Sequence, residues 1–459
     1  MTIPSNFLTA TETIKLVSQG DLTVEQIALD HIKRYDERQT TIGAWVYMDR
    51  ERVLSEARRL DSIPKEKRGP LHGTVLAVKD MMNTQDMPTQ HGSPIYKDSH
   101  PGVDAACVAI CRAAGALIFG KTHTTEFACS SIGPKGCGNP YDITRTPGGS
   151  SSGSGAAVRD FQCSLAFGTQ TGGSTIRPAS FNGIFGIKPT WGAISTWGLK
   201  PYAPTLDTVG LFARSIEDLK LFLSIFDIPS NIPNSISILQ KKPLSNCKFA
   251  YIKTDQWVKP SFELSKTWEK SSILLKESGA EIIELKLPKE FEGISGGLAW
   301  IINKSEGKVS FQNEFQNQNQ LLSSFIHNEI YDNSEEISKK KITEAYDKVA
   351  SLRPIIDEIA SQYDAIITPS VESEAPLGLG WTGSPKFCAM WTSLHVPCVH
   401  IPGFAGDNGM PIGLTLVGPR YDEQRLLSVA EVVAQVWARA DEDKLNKIPV
   451  PDGVRHLTV

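Results

Sequence analysis

The sequence predicts an α/β fold in which helices cover both faces of a large mixed β-sheet. From residue 71 onward, short apolar segments of strand length are separated by glycine-rich turns and by segments of helix length. The chain has 459 residues, 40% of them hydrophobic, which is enough for a sizeable core. The main predicted strands are TVLAVKD (74–80), ALIF (116–119), SLAFGTQT (164–171), GIFGIKPT (183–190), YDAIITPS (363–370) and PIGLTLVG (411–418).

Helices are predicted before, between and after these strands. Thr23 precedes an apolar stripe of helical period, and Gln26 three residues later gives the spacing of a capping box. The segment ERVLSEARRLDS (51–62) repeats the helical pattern, and DAACVAICRAAG is predicted as a helix that Gly115 ends. The amphipathic segment EQRLLSVAEVVAQVWARA (423–440) is predicted as the last helix.

We expect one domain over residues 1–459, in four consecutive parts. Residues 1–65 are N-terminal helices and residues 66–225 hold the motifs described below. Residues 226–345 are more polar and form a variable region that lines the substrate pocket, with a loop over 228–243 and the helix-like stretch FQNEFQNQNQLLSSF. Residues 346–459 return to the same sheet.

Composition and charge narrow the function classes. A formal net charge of −4 with scattered charges gives no signature of nucleic-acid or membrane binding. The eight cysteines include no CxxC pair, so they are predicted to be free thiols, with Cys107 and Cys111 on one buried helix face. No signal peptide and no apolar run of about 20 residues is present, which predicts a cytoplasmic protein. A homodimer is expected only because dimers are common.

Two serine–glycine clusters and one lysine carry the candidate chemistry. Ser150 begins the first cluster and Ser174 ends the second, in TQTGGS. The amides from Thr171 to Ser174 could converge on one carbonyl oxygen, as an oxyanion site does. Lys79 follows an apolar strand, where partial desolvation would favour its neutral, basic form. Each feature alone also fits an ordinary turn, a flexible linker or a lysine that reaches solvent.

Other motifs are weaker when their context is considered. GSSSG fits the nucleophile-elbow pattern around Ser151, but no apolar strand precedes it. GALIFGKT, from Gly115, has the letters of a phosphate-binding loop, but its middle residues are themselves predicted as a strand. Lys188 is interpreted as structural. The nine histidines form no metal-binding pattern, so no metal site is predicted. For Trp300, Trp381, Trp391 and Phe311 we expect core packing, with a pocket wall as the alternative.

Taken together, these motifs resemble the amidase signature family. GGSSSGSGAAV and TQTGGSTIRPASFNGIFGIKPT look like the core of that family, and GTVLAVKDMMNT, GALIFGKTHTTEFA and MPIGLTLVGPRYDEQRLL also fit. The resemblance implies the amidase signature fold and a Ser-cisSer-Lys triad without a cofactor. In this triad Lys79 is the general base, Ser150 the bridging serine after a cis peptide bond, and Ser174 the nucleophile.

The resemblance further implies an oxyanion hole and a pocket for the acyl group. Residues Thr171, Gly172, Gly173 and Ser174 match the backbone of the oxyanion hole, and Ser130 falls at the border of the acyl pocket. The expected activity is hydrolysis of a small or aryl carboxylic amide. A carbamate or ester hydrolase on the same triad stays an alternative, as does a glutamine-hydrolysing component of an amidotransferase complex. Arg177 lies three residues after Ser174, whereas many relatives have arginine at the second, which favours a stand-alone hydrolase.

Overall fold

A computed structural model describes residues 3–229, 242–332, 337–452 and 454–457. In these residues eleven strands form a single sheet, in the order β1-β3-β2-β4-β6-β5-β10-β11-β9-β7-β8. The strands are β1 (Trp45–Tyr47), β2 (Val75–Lys79), β3 (Leu117–Thr122), β4 (Leu165–Gln170), β5 (Phe185–Lys188), β6 (Thr208–Ala213), β7 (Lys248–Tyr251), β8 (Glu281–Glu284), β9 (Ala365–Pro369), β10 (Cys398–Ala405) and β11 (Pro411–Val417).

The sheet is mixed, as predicted. Strand β2 lies between β3 and β4 and is parallel to both, and β7 lies between β8 and β9 and is parallel to both. The remaining pairs, including the central pair β5–β10, are antiparallel. Because parallel strands end at the same edge of a sheet, the ends of β2 and β4 lie close together. Strands β7 and β8, from the variable region, belong to the same sheet.

Helices pack on both faces of this sheet. The α-helices are α1 (Ala10–Gln19), α2 (Val24–Ile42), α3 (Arg50–Asp61), α4 (Ala106–Ala113), α5 (Ser152–Arg159), α6 (Ile176–Asn182), α7 (Ile216–Ser224), α8 (Phe262–Glu277), α9 (Ala299–Ser310), α10 (Gln312–Gln318), α11 (Ser324–Ile326), α12 (Lys339–Ser361), α13 (Lys386–Ser393), α14 (Glu423–Trp437) and α15 (Glu442–Leu445). On β2, Leu76 and Val78 pack into one hydrophobic core, and Val75 and Ala77 pack into another. This alternation matches the period of a strand that is buried on both faces.

The helix ends follow the local sequence. The Thr23 side chain accepts a hydrogen bond from the Gln26 amide and caps α2, as predicted. The complete capping box, with both reciprocal hydrogen bonds, is formed instead by Thr9 and Glu12 at the start of α1. Gly115 follows α4 with a φ of 89°, a left-handed conformation that glycine adopts readily, so it ends the helix as expected.

Most predicted elements are confirmed, and two tryptophans are corrected. The strand inside GALIFGKT, the helix-like stretch at α10 and the free thiols of all eight cysteines are as predicted. The loop predicted over 228–243 falls mostly outside the described residues. Trp391 and Phe311 are in the core, but Trp300 and Trp381 are 36% and 48% exposed, so core packing was the wrong expectation for those two. Among the described residues, none of the helices combines the length and apolarity that crossing a bilayer requires.

Candidate active site

Lys79 is the last residue of β2 and is completely buried. Its Nζ lies 2.7 Å from the Ser150 Oγ and 2.6 Å from the Thr169 Oγ1. Burial lowers the pKa of Lys79 well below its ordinary value; the nearby Asp207 opposes this effect and Arg177 adds to it. The Lys79 amine is therefore poised to be neutral at physiological pH, with a lone pair available to take up a proton.

Ser150 lies just before α5, in the first serine–glycine cluster. The peptide bond between Gly149 and Ser150 is cis. The Ser150 side chain is 2% exposed and contacts Lys79, while its carbonyl accepts a 3.3 Å hydrogen bond from the Thr125 amide. Arg177 donates from Nη2 to the Gly149 carbonyl at 2.6 Å, which fixes this segment from a second side. The structure therefore brings Lys79 and Ser150 together.

Ser174 lies in the turn between β4 and α6. The residues Thr171 to Ser174 form this turn, and the Ser174 side chain is 7% exposed. The amides of Gly172, Gly173 and Ser174 have no hydrogen-bond acceptor in the described part of the chain. The hydroxyls of Ser150 and Ser174 are not hydrogen-bonded to each other. The turn thus presents a hydroxyl and unpaired amides at the edge of the sheet where β2 also ends.

Two side chains hold the ends of this turn. At its start, the Thr171 hydroxyl donates a 2.5 Å hydrogen bond to the Asp207 carboxylate. Asp207 also accepts from the amides of Tyr202 and Ala203 at 2.8 and 3.1 Å, and burial raises its pKa to about 6. At the other end, the Gln170 Oε1 accepts from the amides of Thr175 and Ile176, which begin α6.

Ser130 lies on the wall of a neighbouring cavity. This cavity has a volume of about 600 Å³ and is also lined by Thr125, whose amide contacts Ser150. The Ser130 side chain is 5% exposed, and its hydroxyl accepts a 3.0 Å hydrogen bond from the Ile132 amide. Its position next to the Lys79–Ser150 pair fits a pocket wall.

The alternative groups have structural partners. The Ser151 hydroxyl is bonded to the Thr169 backbone in β4, and no strand precedes it. The Lys188 Nζ donates to the Pro189 carbonyl at 2.8 Å. Within the described ranges, no three histidine, cysteine or acidic side chains converge in the manner of metal ligands.

Four contacts of the site were not predicted from the sequence. They involve Thr169 on the Lys79 amine, Arg177 on the Gly149 carbonyl, Asp207 on the turn, and Thr392, whose hydroxyl donates to the Gly172 carbonyl. The period of β4 could have indicated Thr169, which lies two residues before Thr171. No sequence signal links Asp207 or Thr392 to the turn, because loop and helix packing bring them there.

Comparisons with known proteins agree with this arrangement. The family model described as Amidase matches residues 26–427. The chain belongs to the amidase family. It is 29% identical to the amidase-family component of the glutamyl-tRNA(Gln) amidotransferase of Streptomyces avermitilis, over 93% of this chain and 94% of that protein. A solved amidase structure is 26% identical, with a TM-score of 0.81, and covers 93% of this chain and 99% of its own.

A further structure supports the fold alone. Fatty acid amide hydrolase superimposes with a TM-score of 0.84 at 20% identity, over 95% of this chain and 87% of that one. The amidase signature fold is therefore confirmed, and the chain is an enzyme that hydrolyses carbon–nitrogen bonds of amides.

Proposed function

We propose that this protein is a stand-alone amidohydrolase that cleaves a small or aryl carboxylic amide through an acyl-enzyme on Ser174. The observation that carries the proposal is the 2.7 Å contact between the buried Lys79 amine and the Ser150 hydroxyl, beside a turn that ends in Ser174. A buried, neutral amine can act as a general base for a hydroxyl that it contacts directly.

The proposed reaction has two stages. In acylation, Lys79 takes a proton from Ser150 and Ser150 takes one from Ser174, whose oxygen forms a bond to the amide carbon. The oxyanion accepts hydrogen bonds from the backbone amides of residues 171–174. The carbon–nitrogen bond then breaks, and the proton returns through Ser150 to the departing amine. In deacylation, water attacks the ester along the same proton path and releases the acid.

Geometry supports each role, with one adjustment required on substrate binding. Thr169 binds a second direction of the Lys79 amine, so the lone pair of a neutral amine can face Ser150. The hydroxyls of Ser150 and Ser174 must come into hydrogen-bond contact once substrate is bound, since catalytic contacts often tighten in the complex. Ser130 and the cavity beside it are proposed to hold the acyl group.

Covalent labelling tests the nucleophile. The purified protein is treated with a fluorophosphonate, digested and mapped by mass spectrometry, and we expect the label on Ser174. Ser174→Ala should lose both the label and the amidase activity. Ser151→Ala is the matched control, because it removes the rival serine from the neighbouring cluster. A label on any other residue, or full activity of Ser174→Ala, would refute the assignment.

A substrate panel tests the class of amide. Acyl anilides, primary amides, carbamates and esters with closely matched acyl groups are compared by kcat/KM, and we expect the amides to be preferred. A higher kcat/KM for carbamates or esters would instead favour the alternative hydrolase on the same triad. The panel is needed because all of these activities share the same nucleophile and differ in the bond that it breaks.

The second candidate is a glutamine-hydrolysing member of an amidotransferase complex. It is favoured by the likeness to the glutamyl-tRNA(Gln) amidotransferase protein, at 29% identity over nearly the whole of both chains. The stand-alone enzyme should hydrolyse its amide as an isolated chain, and tRNA should not change the rate. Glutamine hydrolysis that requires partner proteins or tRNA would support the second candidate. Size-exclusion chromatography of the purified chain also tests the expected homodimer.

A further inference from the structure

Thr392, near the end of α13, connects two parts of the oxyanion turn although it lies more than 200 residues away in sequence. Its side chain is completely buried. The Gln170 Nε2 donates to the Thr392 Oγ1 at 3.0 Å, and the same hydroxyl donates to the Gly172 carbonyl at 2.7 Å. The hydroxyl therefore joins the last residue of β4 to the middle of the turn.

The direction of this hydrogen-bond chain is fixed by its first member. The Gln170 Oε1 accepts from the amides of Thr175 and Ile176 at 2.9 and 3.0 Å, so the side-chain amide must present its N–H groups on the other side. Thr392 receives one of them and has a single proton left to donate. Its two possible acceptors are the Gly172 carbonyl at 2.7 Å and the Cys388 carbonyl at 3.2 Å. The shorter distance favours Gly172.

Holding the Gly172 carbonyl also orients an amide of the candidate oxyanion hole. A peptide unit is planar, so the Gly172 carbonyl and the Gly173 N–H lie in one plane and point in opposite directions. Neither residue has a side chain to limit rotation of this unit. The start of α13 packs closely against it, because a Cβ on Gly173 would lie 3.2 Å from the Pro385 Cα and the Cys388 Cβ. The Thr392 hydrogen bond adds a polar restraint to this packing.

We propose that Thr392 is a positioning residue that aims the Gly173 amide at the oxyanion by holding the Gly172 carbonyl. This inference rests on the proposed function, in which that amide stabilises the tetrahedral intermediate. Thr392 contacts neither the substrate nor the candidate nucleophile in this arrangement. Its removal should therefore weaken binding of the transition state while binding of the substrate changes little.

The test compares isosteric and conservative replacements. Thr392→Val keeps the shape but removes the hydroxyl, and we expect kcat to fall about 10–100-fold, since complete loss of one oxyanion donor costs roughly 10²–10³-fold. KM should stay within about threefold, and affinity for an aldehyde analogue of the substrate should fall in step with kcat/KM. Thr392→Ser keeps the hydroxyl and should restore kcat. Ser393→Ala is the matched control, because it removes a hydroxyl that bonds only to the Ala389 carbonyl of the same helix.

The possible outcomes separate this inference from the proposed function. If Ser174→Ala is inactive but Thr392→Val has normal kcat, the positioning role is refuted and the proposed nucleophile stands. If Ser174→Ala stays active, the proposed function itself fails. An equal loss in Thr392→Ser or Ser393→Ala, or a change confined to KM, also refutes the positioning role. Thr392→Ala provides the same measurement if Thr392→Val does not fold, as judged by circular dichroism.

Discussion

Replacing Asp207 with asparagine should change how stability depends on pH. Asp207 is buried, its pKa is raised to about 6 by burial, and its ordinary value is 3.8. A carboxyl group with a raised pKa favours the folded state while it is protonated. This contribution is fully present below about pH 4 and is lost as the pH rises through 6. Asparagine does not titrate, so Asp207→Asn lacks this dependence.

The size of the effect follows from the two pKa values. They differ by about 2 units, and each unit corresponds to about 1.4 kcal/mol, so the full contribution is about 3 kcal/mol. Between pH 4.5 and pH 7.5 about 2 kcal/mol of it is lost. The unfolding entropy of a chain this long is on the order of 1 kcal/mol per degree, so the thermal midpoints should diverge by about 2 °C.

Thermal unfolding of both proteins across that pH range measures the difference. Asp207→Asn should gain stability relative to the wild type as the pH rises. The absolute midpoint of the variant can be lower at every pH, since an asparagine Nδ2 would face the amides of Tyr202 and Ala203. Asp98→Asn removes a charge from an exposed site and controls for the change in net charge. A difference between variant and wild type that is constant with pH would contradict the reasoning.

Three further predictions concern the base, its electrostatics and the tryptophans. Asp207→Asn removes the negative charge that raises the pKa of Lys79, so the acid limb of the kcat/KM profile should move to lower pH, as a pH–rate profile will show. Lys79→Met removes the proposed base, and steady-state kinetics should show kcat falling by at least about 10³-fold while the circular dichroism spectrum is unchanged. Trp391→Ala should cost about 3–5 kcal/mol of unfolding free energy because Trp391 is buried, whereas Trp381→Ala, at a site 48% exposed, should cost less than about 1 kcal/mol in the same denaturant titration.

The sequence predicts the parts of the site that short-range rules determine. Apolar runs with strand period place β2 and β4, and glycines mark the turn that follows β4. Lys79 could be identified because it ends an apolar strand, although full burial, rather than the partial desolvation expected, follows only from the packed fold.

The remaining contacts depend on tertiary structure. Asp207 precedes β6 and Thr392 lies near the end of α13, and nothing in their neighbouring residues points toward the turn. The exposure of Trp300 and Trp381 shows the same limit, because hydrophobicity alone does not specify which aromatic side chains the helices will cover. Capping was predicted one helix too late in its complete form, since Thr23 and Thr9 both have a suitable partner three residues on.

The antiparallel pair β5–β10 has a consequence for dissection of this protein. Residues before this junction hold Lys79, Ser150 and Ser174, whereas Thr392 comes from the part of the chain beyond it. Cutting the chain between β6 and β7 would therefore separate the reacting groups from their long-range support. Two such fragments, expressed together, could regain turnover only by re-forming the hydrogen bonds between Lys188 and Cys398 and their neighbours. Recovery of activity on mixing would thus report docking across one strand pair.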